Sequence, residues 1–257
     1  MGLAAMLAGP ARAADMPVAP LPPPPVVYDW SGAYLGFNVG GTWYDVDRHF
    51  PVGPTPAFPT FPDFTSSDSD GIYGFHAGAQ WQWGAWVLGV EAALSGCFRE
   101  CRSLSGVLPV TAGFPPNAFA EHKIPNLFTL GPRLGYAWDR WMIFATGGWA
   151  SANIKGTFCT TITGLCDGPG TFANAASRNN NGWYAGGGFD YMVHKGPLVD
   201  VILGVEYQHY EVDGQTAFCA NPGCSPATFM DYDLSASGNL VRARLTVKTQ
   251  GYGFLWR

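Results

Sequence analysis

The chain has 257 residues, of which only 13% are charged while 15% are aromatic and 34 are glycine. The formal net charge of -5 argues against a nucleic-acid partner, because phosphate binding requires a basic face, and no apolar run approaches the ~18 residues of a membrane helix. A charged share about half the usual one indicates a surface that need not face water. Any membrane-spanning structure must then be a closed β-barrel, because no other fold pairs its whole backbone in lipid.

The first 28 residues divide into two segments that precede the barrel predicted for residues 29–257. Residues 1–13 contain an apolar run and then Ala11-Arg12-Ala13, which fits the cleavage site of a secretory signal. The basic start of a signal is missing, so we interpret the segment as truncated; a disordered Ala-rich end is the alternative. Residues 14–28 include PVAPLPPPP, which predicts a stiff polyproline linker because proline lacks a backbone donor.

Three strands are predicted in the first third of the chain, at about 30–44, 71–83 and 86–94. Each alternates large apolar residues with glycine or polar residues, so that one face is aromatic and aliphatic and the other is small and polar. The second and third strands are joined by the two-residue turn Gly84-Ala85, whereas a long loop of about residues 45–70 separates the first two. A second long loop is predicted at about residues 95–123.

The stretch Asn126–Ala150, NLFTLGPRLGYAWDRWMIFATGGWA, predicts a hairpin around the turn Asp139-Arg140. Its first strand places Phe128 and Leu134 on one face and Arg133 with several glycines on the other. A water-soluble β-protein would turn the aromatic face inward, which would leave the arginine outside. Tryptophans at the strand ends, beside a polar turn, are instead typical of a membrane interface.

The last three strands continue the pattern. They are predicted at about 183–191, 201–208 and 241–248, with a third long loop of about residues 155–180, a short turn at 194–197 and a fourth long loop before the last strand. The last strand either stops near Lys248 or extends so that Phe254 or Trp256 supplies an aromatic end. Long and short connections thus alternate between about eight antiparallel strands, as in bacterial outer-membrane barrels. A soluble lipocalin-type barrel is the alternative, with the opposite parity.

Several stretches resemble one family in the order in which that family has them. DWSGAYLGFNVG, WVLGVEAALSG, RLGYAWDRWMIFATGG, GWYAGGGFDY, GVEYQHYEV and NLVRARLTVK are similar to segments of the small outer-membrane β-barrel surface proteins of alphaproteobacteria. The resemblance implies localisation in the bacterial outer membrane, long connections outside the cell, short turns and the Pro-rich linker in the periplasm, and no cofactor. It also implies a non-catalytic role in envelope integrity and surface contacts.

Other functions stay open at this point. A narrow porin-like diffusion channel is the main rival, and binding of a ligand such as haem through the loops is a further possibility that the family suggests. A lipid-modifying enzyme is a third, for which His209 near Glu211 lacks a serine at motif spacing. The expected partners are outer-membrane lipid and lipopolysaccharide, with a host or environmental ligand at the loops.

Charged residues on the inward faces form the first set of candidate site residues. An eight-stranded lumen is nearly filled by side chains, so charges inside it must pair. We predict a structural salt-bridge network in the lumen, with a proton or ion path or a catalytic carboxylate as the alternative. The residues are Glu91, Arg133, Asp190, Glu206, Arg242, Arg244 and Lys248.

The cysteines and the tryptophans form two further sets. Six cysteines occur as three close pairs in three long loops, and an oxidising exterior favours local disulfides over a metal site, for which no ligand spacing is present. The pairs are Cys97 and Cys101, Cys159 and Cys166, and Cys219 and Cys224. Aromatic residues near the strand ends predict an interfacial girdle of Trp30, Trp43, Trp81, Trp83, Trp86, Trp138, Trp141, Trp149, Trp183 and Tyr191.

Overall fold

The computed structural model describes residues 28–49, 64–105, 118–160, 172–214 and 233–250. These residues form an all-β protein whose strands are, in chain order, β1 (Gly32–His49), β2 (Phe64–Trp83), β3 (Trp86–Cys97), β4 (Arg102–Ser105), β5 (Ala118–Trp138), β6 (Trp141–Thr160), β7 (Phe172–Lys195), β8 (Val199–Val212) and β9 (Asp233–Thr249). Within the described part of the chain, no helix has the length and apolar character needed to cross a membrane. The predicted signal segment (1–13) and nearly all of the predicted linker (14–28) lie outside the described residues.

The sheet closes on itself. Its antiparallel order is β3-β2-β1-β9-β8-β7-β6-β5-β4, and a pairing between β3 and β5 completes the ring. Sequential neighbours are joined by two-residue turns at Gly84-Ala85 and Asp139-Arg140, and Asp139 adopts the left-handed conformation with φ of 53°. We call the end of the barrel that carries these turns the short-turn end, and the opposite one the long-connection end. The predicted single antiparallel barrel is confirmed.

Strands β3 and β4 act as one wall strand interrupted by an outward bulge. Both pair with β5, with Gly96 opposite Asn126 and Arg102 opposite Lys123, so that the five residues 97–101 on one side face the two residues 124–125 on the other. The extra residues form a turn closed by the Cys97–Cys101 disulfide, whose Cα atoms are 5.3 Å apart. Counting β3 and β4 together gives the eight strands that the sequence predicts.

The buried Asp70 carboxylate holds this bulge in place. Its oxygens accept hydrogen bonds from the backbone amides of Arg99 (2.9 Å) and Cys101 (3.1 Å), and the Arg99 Nε atom lies 3.2 Å away. Glu100 and Cys101 both have positive φ values, of 60° and 45°, which non-glycine residues adopt only where their surroundings fix them. The disulfide and Asp70 together supply that constraint.

The alternation of side chains has the polarity of a membrane protein. Along β8 and β9 every second residue is buried, and the buried set contains Glu206, Arg242 and Arg244, whereas aliphatic residues such as Leu203 and Leu245 point outward. Lipid contact reverses the usual preference, because apolar side chains gain nothing from leaving hydrocarbon while charges must avoid it. The outward-aromatic parity predicted from the sequence is confirmed.

The strands are longer than predicted at the long-connection end. β1 ends at His49 instead of Tyr44, β2 begins at Phe64 instead of Gly71, and the hairpin of β5 and β6 extends to Ala118 and Thr160. β7 begins at Phe172, inside the predicted loop of residues 155–180. Above the lipid both faces of a strand can be polar, so the alternation that marks a strand disappears there. β9 ends at Thr249, close to the predicted Lys248, and residues 251–257 lie outside the described part.

Candidate functional site

The lumen contains a compact network of ion pairs centred on Glu91. Both oxygens of this carboxylate bind Arg244, at 2.9 Å from Nη1 and 2.5 Å from Nη2, and the Tyr34 hydroxyl donates to Oε2 at 2.9 Å. Arg133 approaches the same carboxylate at 3.7 Å. The sequence separation between Glu91 and Arg244 is 153 residues, and closure of the barrel between β1 and β9 brings them together.

Glu206 is the second anionic centre. Arg242 contacts its Oε2 atom through Nε at 3.0 Å and Nη2 at 2.9 Å, and Arg244 also pairs with it through Nη1. Gln208 donates to the other oxygen at 2.6 Å. Arg244 therefore bridges the two carboxylates, and its position between them makes the network continuous.

Arg133 joins a third acid, Asp190, at 2.5 Å. The Arg133 guanidinium carbon also lies 3.7 Å from the centroid of the Phe144 ring, which is a close cation–π contact. Three arginines thus face three carboxylates, and every side chain of this set is at most 5% exposed. A buried set without net charge is what a low-dielectric lumen can hold.

Lys248 lies apart from this network. Its Nζ atom pairs with Asp200 at 2.9 Å and donates to the carbonyl of Ser31 at 3.0 Å, near the short-turn end. Asp200 was missed in the sequence analysis, although it shares its strand parity with Glu206 and Gln208. Parity alone could have assigned it to the lumen.

Apolar layers flank the charges at both ends of the lumen. At the short-turn end Trp30, Val87, Ala137, Met142, Phe144, Met192 and Ile202 form one buried cluster. At the long-connection end buried aromatic and aliphatic residues, including Tyr44, Ile72, Leu127, Tyr184 and Leu240, form a second cluster. Among the described residues the lumen therefore contains a charged network between two clusters of buried apolar side chains.

The assignment of Trp30 to the aromatic girdle is wrong. Trp30 is 0% exposed inside the short-turn cluster, its backbone amide donates to Gln82 Oε1 at 2.7 Å, and its carbonyl accepts from Gln80 Nε2 at 2.7 Å. Trp30 precedes β1 and packs at the short-turn end of the barrel against the buried apolar cluster there. Its even number, shared with the inward Tyr34 and Asn38, was the signal that could have placed it.

We expect Trp30→Ala to lower the free energy of unfolding by about 3 kcal/mol, because it leaves a cavity in a packed cluster. Trp83→Ala is the matched control, since Trp83 is 64% exposed on the outer surface and leaves no cavity. Urea unfolding of the refolded proteins measures both. Equal losses of unfolding free energy for the two variants would contradict the placement of Trp30 inside the short-turn cluster.

Comparisons with known proteins agree with the closed antiparallel barrel. The family model described as outer membrane protein beta-barrel domain matches residues 1–237. The chain belongs to this outer-membrane β-barrel family. It is 30% identical over 201 residues to the 31 kDa outer-membrane immunogenic protein of Brucella melitensis, which covers 75% of this chain and 78% of that protein, and equally to that of Brucella suis. Localisation in the bacterial outer membrane follows.

Solved outer-membrane barrels are similar at low identity. The attachment invasion locus protein Ail of Yersinia pestis is 10% identical with a TM-score of 0.32, covering 83% of this chain and 99% of that one. OprG of Pseudomonas aeruginosa is 10% identical with a TM-score of 0.39, covering 84% and 96%. The protease OmpT of Escherichia coli is 9% identical with a TM-score of 0.47, covering 88% and 99%. These likenesses carry no functional argument.

The predicted aromatic girdle lies on the outer surface of the barrel, at two levels. Apart from Trp30, the tryptophans of the predicted girdle are between 42% and 64% exposed, and Tyr191 is half-buried with the same outward parity. Trp81, Trp83, Trp86, Trp138, Trp141 and Tyr191 lie near the short, periplasmic turns; Trp43, Trp149 and Trp183 lie towards the outer end. At the periplasmic level, neighbouring aromatic rings pack edge to face, as Trp86 does with Tyr136 at 5.3 Å between ring centroids.

Of the three cysteines that the structure describes, two lie in strands of the barrel wall. Cys97 is the last residue of β3, and Cys159 lies in β6 opposite Phe119 and Ala173, so the prediction that none lies in a strand is wrong. Both strands continue beyond the lipid, where the sequence loses its alternation. Cys97 and Cys101 form a disulfide, as predicted; Cys166, Cys219 and Cys224 lie outside the described residues. The Asp70 carboxylate lies within 4.8 Å of both sulfur atoms.

We expect reduction of the Cys97–Cys101 disulfide to leave the barrel folded while it opens the bulge. The chain-entropy treatment gives such a small ring roughly 2 kcal/mol, whereas the wall is closed by backbone hydrogen bonds. The Arg99 side chain is 76% exposed, so trypsin should cut after it once the turn is free. Heat-modifiable gel mobility and a trypsin time course measure the two effects, with Cys97→Ser/Cys101→Ser as a constitutively open variant. Loss of the compact band on reduction would contradict this expectation.

A second cluster of charges lies at the extracellular end. Glu121 is buried and pairs with Arg102 at 3.6 Å and with Lys123 at 3.2 Å, and Lys123 also contacts Glu100 at 3.1 Å. Burial opposes the charge of Lys123, but the hydrogen bonds that its ammonium donates to the Glu100 and Glu121 carboxylates more than offset burial and raise its pKa. These pairs hold β4 and the bulge against β5.

Proposed function

We propose that this chain is a non-catalytic outer-membrane surface protein whose lumen is closed to ions. The single observation that carries the proposal is the layered lumen: an apolar cluster at each end and, between them, three arginines neutralised by three buried carboxylates. An ion crossing the barrel would have to break these pairs in a low-dielectric space. Such a barrel contributes to envelope integrity, and its extracellular connections meet the surroundings.

Planar-bilayer recordings on the refolded protein test this proposal. We expect no reproducible current steps for the wild-type barrel and none for Asn38→Leu. Steps of ion size in the wild-type protein would overturn the closed-lumen proposal. Release of a dye from proteoliposomes, compared with empty vesicles, gives an independent measurement of leakage.

A narrow diffusion channel is the second candidate, and one observation favours it. Asn38 is 0% exposed inside the lumen, and neither its amide nitrogen nor its amide oxygen has a hydrogen-bond partner among the described protein atoms. Buried amides that lack protein partners are commonly served by internal water. If water near Asn38 belonged to a conducting path, wild-type steps would appear and Asn38→Leu would abolish them.

The non-catalytic assignment rests on the surroundings of the candidate histidine. The Nδ1 atom of His209 lies 3.0 Å from the Asn239 amide oxygen, on the exterior of β8, and a hydrolytic dyad would require a serine in such a position. A mass change in lipopolysaccharide after incubation with the refolded protein would overturn this part of the proposal. Binding of a ligand such as haem through the extracellular connections stays a prediction from the family resemblance.

The ends of the chain complete the proposal. We infer that residues 1–13 are a secretory signal segment, that residues 14–28 are a periplasmic linker, and that the barrel follows from residue 29. The position of Tyr28 supports a linker that leaves the barrel at its short-turn end. The Tyr28 ring lies 5.2 Å from the Arg140 guanidinium and 5.5 Å from the Lys195 ammonium, beside two periplasmic turns. The name of the Brucella relative, which describes an immunogenic protein, supports exposure of the outer connections.

A further inference from the structure

The outward surface of β8, β9 and β1 changes character at one level. Along β9 the outward residues Val247, Leu245, Ala243 and Val241 are apolar, and Asn239, Ser237 and Ser235 follow. β8 changes after Tyr207 to His209 and Glu211, and β1 changes after Trp43 to Asp45 and Asp47. The lipid-facing surface therefore ends on these strands at the row of Trp43, Asn239 and His209, which are direct neighbours across the sheet.

At this boundary an ordered polar cluster faces outward. The Tyr207 hydroxyl donates to the Asn239 amide oxygen at 2.6 Å, and His209 Nδ1 lies 3.0 Å from the same oxygen. Because that oxygen can only accept, Nδ1 must carry a proton, and in the neutral imidazole Nε2 is then an acceptor. Both hydrogen bonds use the amide oxygen, and neither uses the two donors of the amide nitrogen. The cluster therefore combines N–H donors with a ring acceptor.

Tryptophans border the cluster on both sides. Trp43 lies directly opposite Asn239 on β1 and is 48% exposed, and Trp183 on β7 packs against His209 with ring centroids 5.5 Å apart. Adjacent strands are about 4.8 Å apart, so the backbones of Trp43 and His209 are separated by about 10 Å. That width accommodates a single sugar ring, whose C–H face packs on an indole while its hydroxyls both donate and accept hydrogen bonds.

We propose that this surface binds the sugar headgroup of an outer-leaflet glycolipid. The acyl chains of such a lipid would lie along the apolar residues below the row, so its headgroup would reach Asn239 and His209 without leaving the membrane. The neighbouring charges, Glu211 on β8 and Asp45 on β1, are exposed and acidic and disfavour a phosphate at this position. Sugar hydroxyls, which carry no charge, suit both the cluster and its surroundings. The proposal rests on the outer-membrane placement of the barrel and not on a closed lumen.

Native mass spectrometry of the barrel released from micelles doped with rough lipopolysaccharide tests the site. We expect the wild-type protein to retain bound lipopolysaccharide, and Asn239→Leu to retain about fivefold less, which corresponds to one lost hydrogen bond. Asn153→Leu is the matched control, because Asn153 donates to Asn179 at 2.8 Å in an exterior amide pair on other strands. Equal retention by Asn239→Leu and Asn153→Leu would overturn the proposal.

A second variant pair guards against effects on folding. Trp43→Ala should lower retention by a similar factor, whereas Trp86→Ala, which removes an exposed tryptophan at the periplasmic level, should leave it unchanged. The compact heat-modifiable band shows that each variant is folded. Equal retention by the two tryptophan variants would contradict the site.

The chemistry of the headgroup is tested with two further lipids. Dephosphorylated lipopolysaccharide should bind as well as the intact form, and phosphatidylglycerol, which carries a phosphate but no sugar ring, should bind less; the reverse order would replace the sugar by a phosphate and overturn the assignment. An absence of lipopolysaccharide binding at this site would not change the expected bilayer recordings, so the glycolipid site and the closed lumen are tested separately.

Discussion

Arg244→Met should lower the free energy of unfolding by about 3–5 kcal/mol, because removal of one partner from a buried ion pair strands the remaining charge. Arg244 binds both Glu91 and Glu206, and its side chain is fully buried. Without it, two arginines face three carboxylates in a lumen that cannot solvate the excess. Methionine fills a similar volume, so the loss reports mainly on charge.

Urea unfolding, followed by tryptophan fluorescence and heat-modifiable mobility, measures this loss. Arg140→Met is the matched control, since Arg140 is exposed in a periplasmic turn, and we expect it to change stability little. The double variant Arg244→Met/Glu91→Gln removes one charge of each sign and should recover part of the loss. A single Arg244→Met variant as stable as Arg140→Met would mean that the lumen is hydrated and that the charge network does not stabilise the barrel.

Gly40→Ala should destabilise the barrel by about 3 kcal/mol or more, because overpacking against backbone cannot be relieved by a side-chain rotation. A Cβ atom at Gly40 would overlap the Val241 carbonyl oxygen and lie only 2.7 Å from the Arg242 Cα atom of β9. β1 and β9 are the first and last strands, so separating them opens the barrel. We expect little or no compact band on gels.

The adjacent glycine provides the control. A Cβ atom at Gly41 would meet nothing nearer than the Asp70 carbonyl oxygen at 3.8 Å, so Gly41→Ala should fold like the wild type. The two variants share composition and differ only in which side of β1 receives the methyl group. Similar refolding yields for both would show that β1 and β9 are not as closely paired as the structure describes.

The inward and outward faces of the strands were predictable residue by residue. Arg133, Glu206 and Arg244 share strand parity with glycines and polar residues, while Leu134, Val205 and Leu245 share the opposite parity. A strand alternates whatever its partners are, so this information is local. The same rule would have placed Trp30 and Asp200 inside, had it been applied to the first residues before or within a strand.

Other features of the site were not predictable from local pattern. The disulfide-clamped bulge depends on Asp70, which accepts hydrogen bonds from residues about 30 positions away. The polar cluster of Asn239, His209 and Tyr207 depends on the register between β8 and β9. In the extracellular extensions of β5, β6 and β7 the buried face includes polar residues such as Glu121 and Asn180, and the strand character comes from pairing with neighbours rather than from an apolar-polar alternation.

The sequence by itself determined that this chain crosses a membrane as a barrel, which side chains enter the lumen, and where the periplasmic turns lie, because alternation and two-residue turns are local properties. Only the tertiary structure decided which acid each arginine meets. Arg244 reaches Glu91 because β9 pairs with β1 and the ring closes through β3 and β5, which sets residues 153 positions apart at one level of the lumen. A charge pattern specifies that inward charges must pair, but the register of the closed sheet specifies the partners.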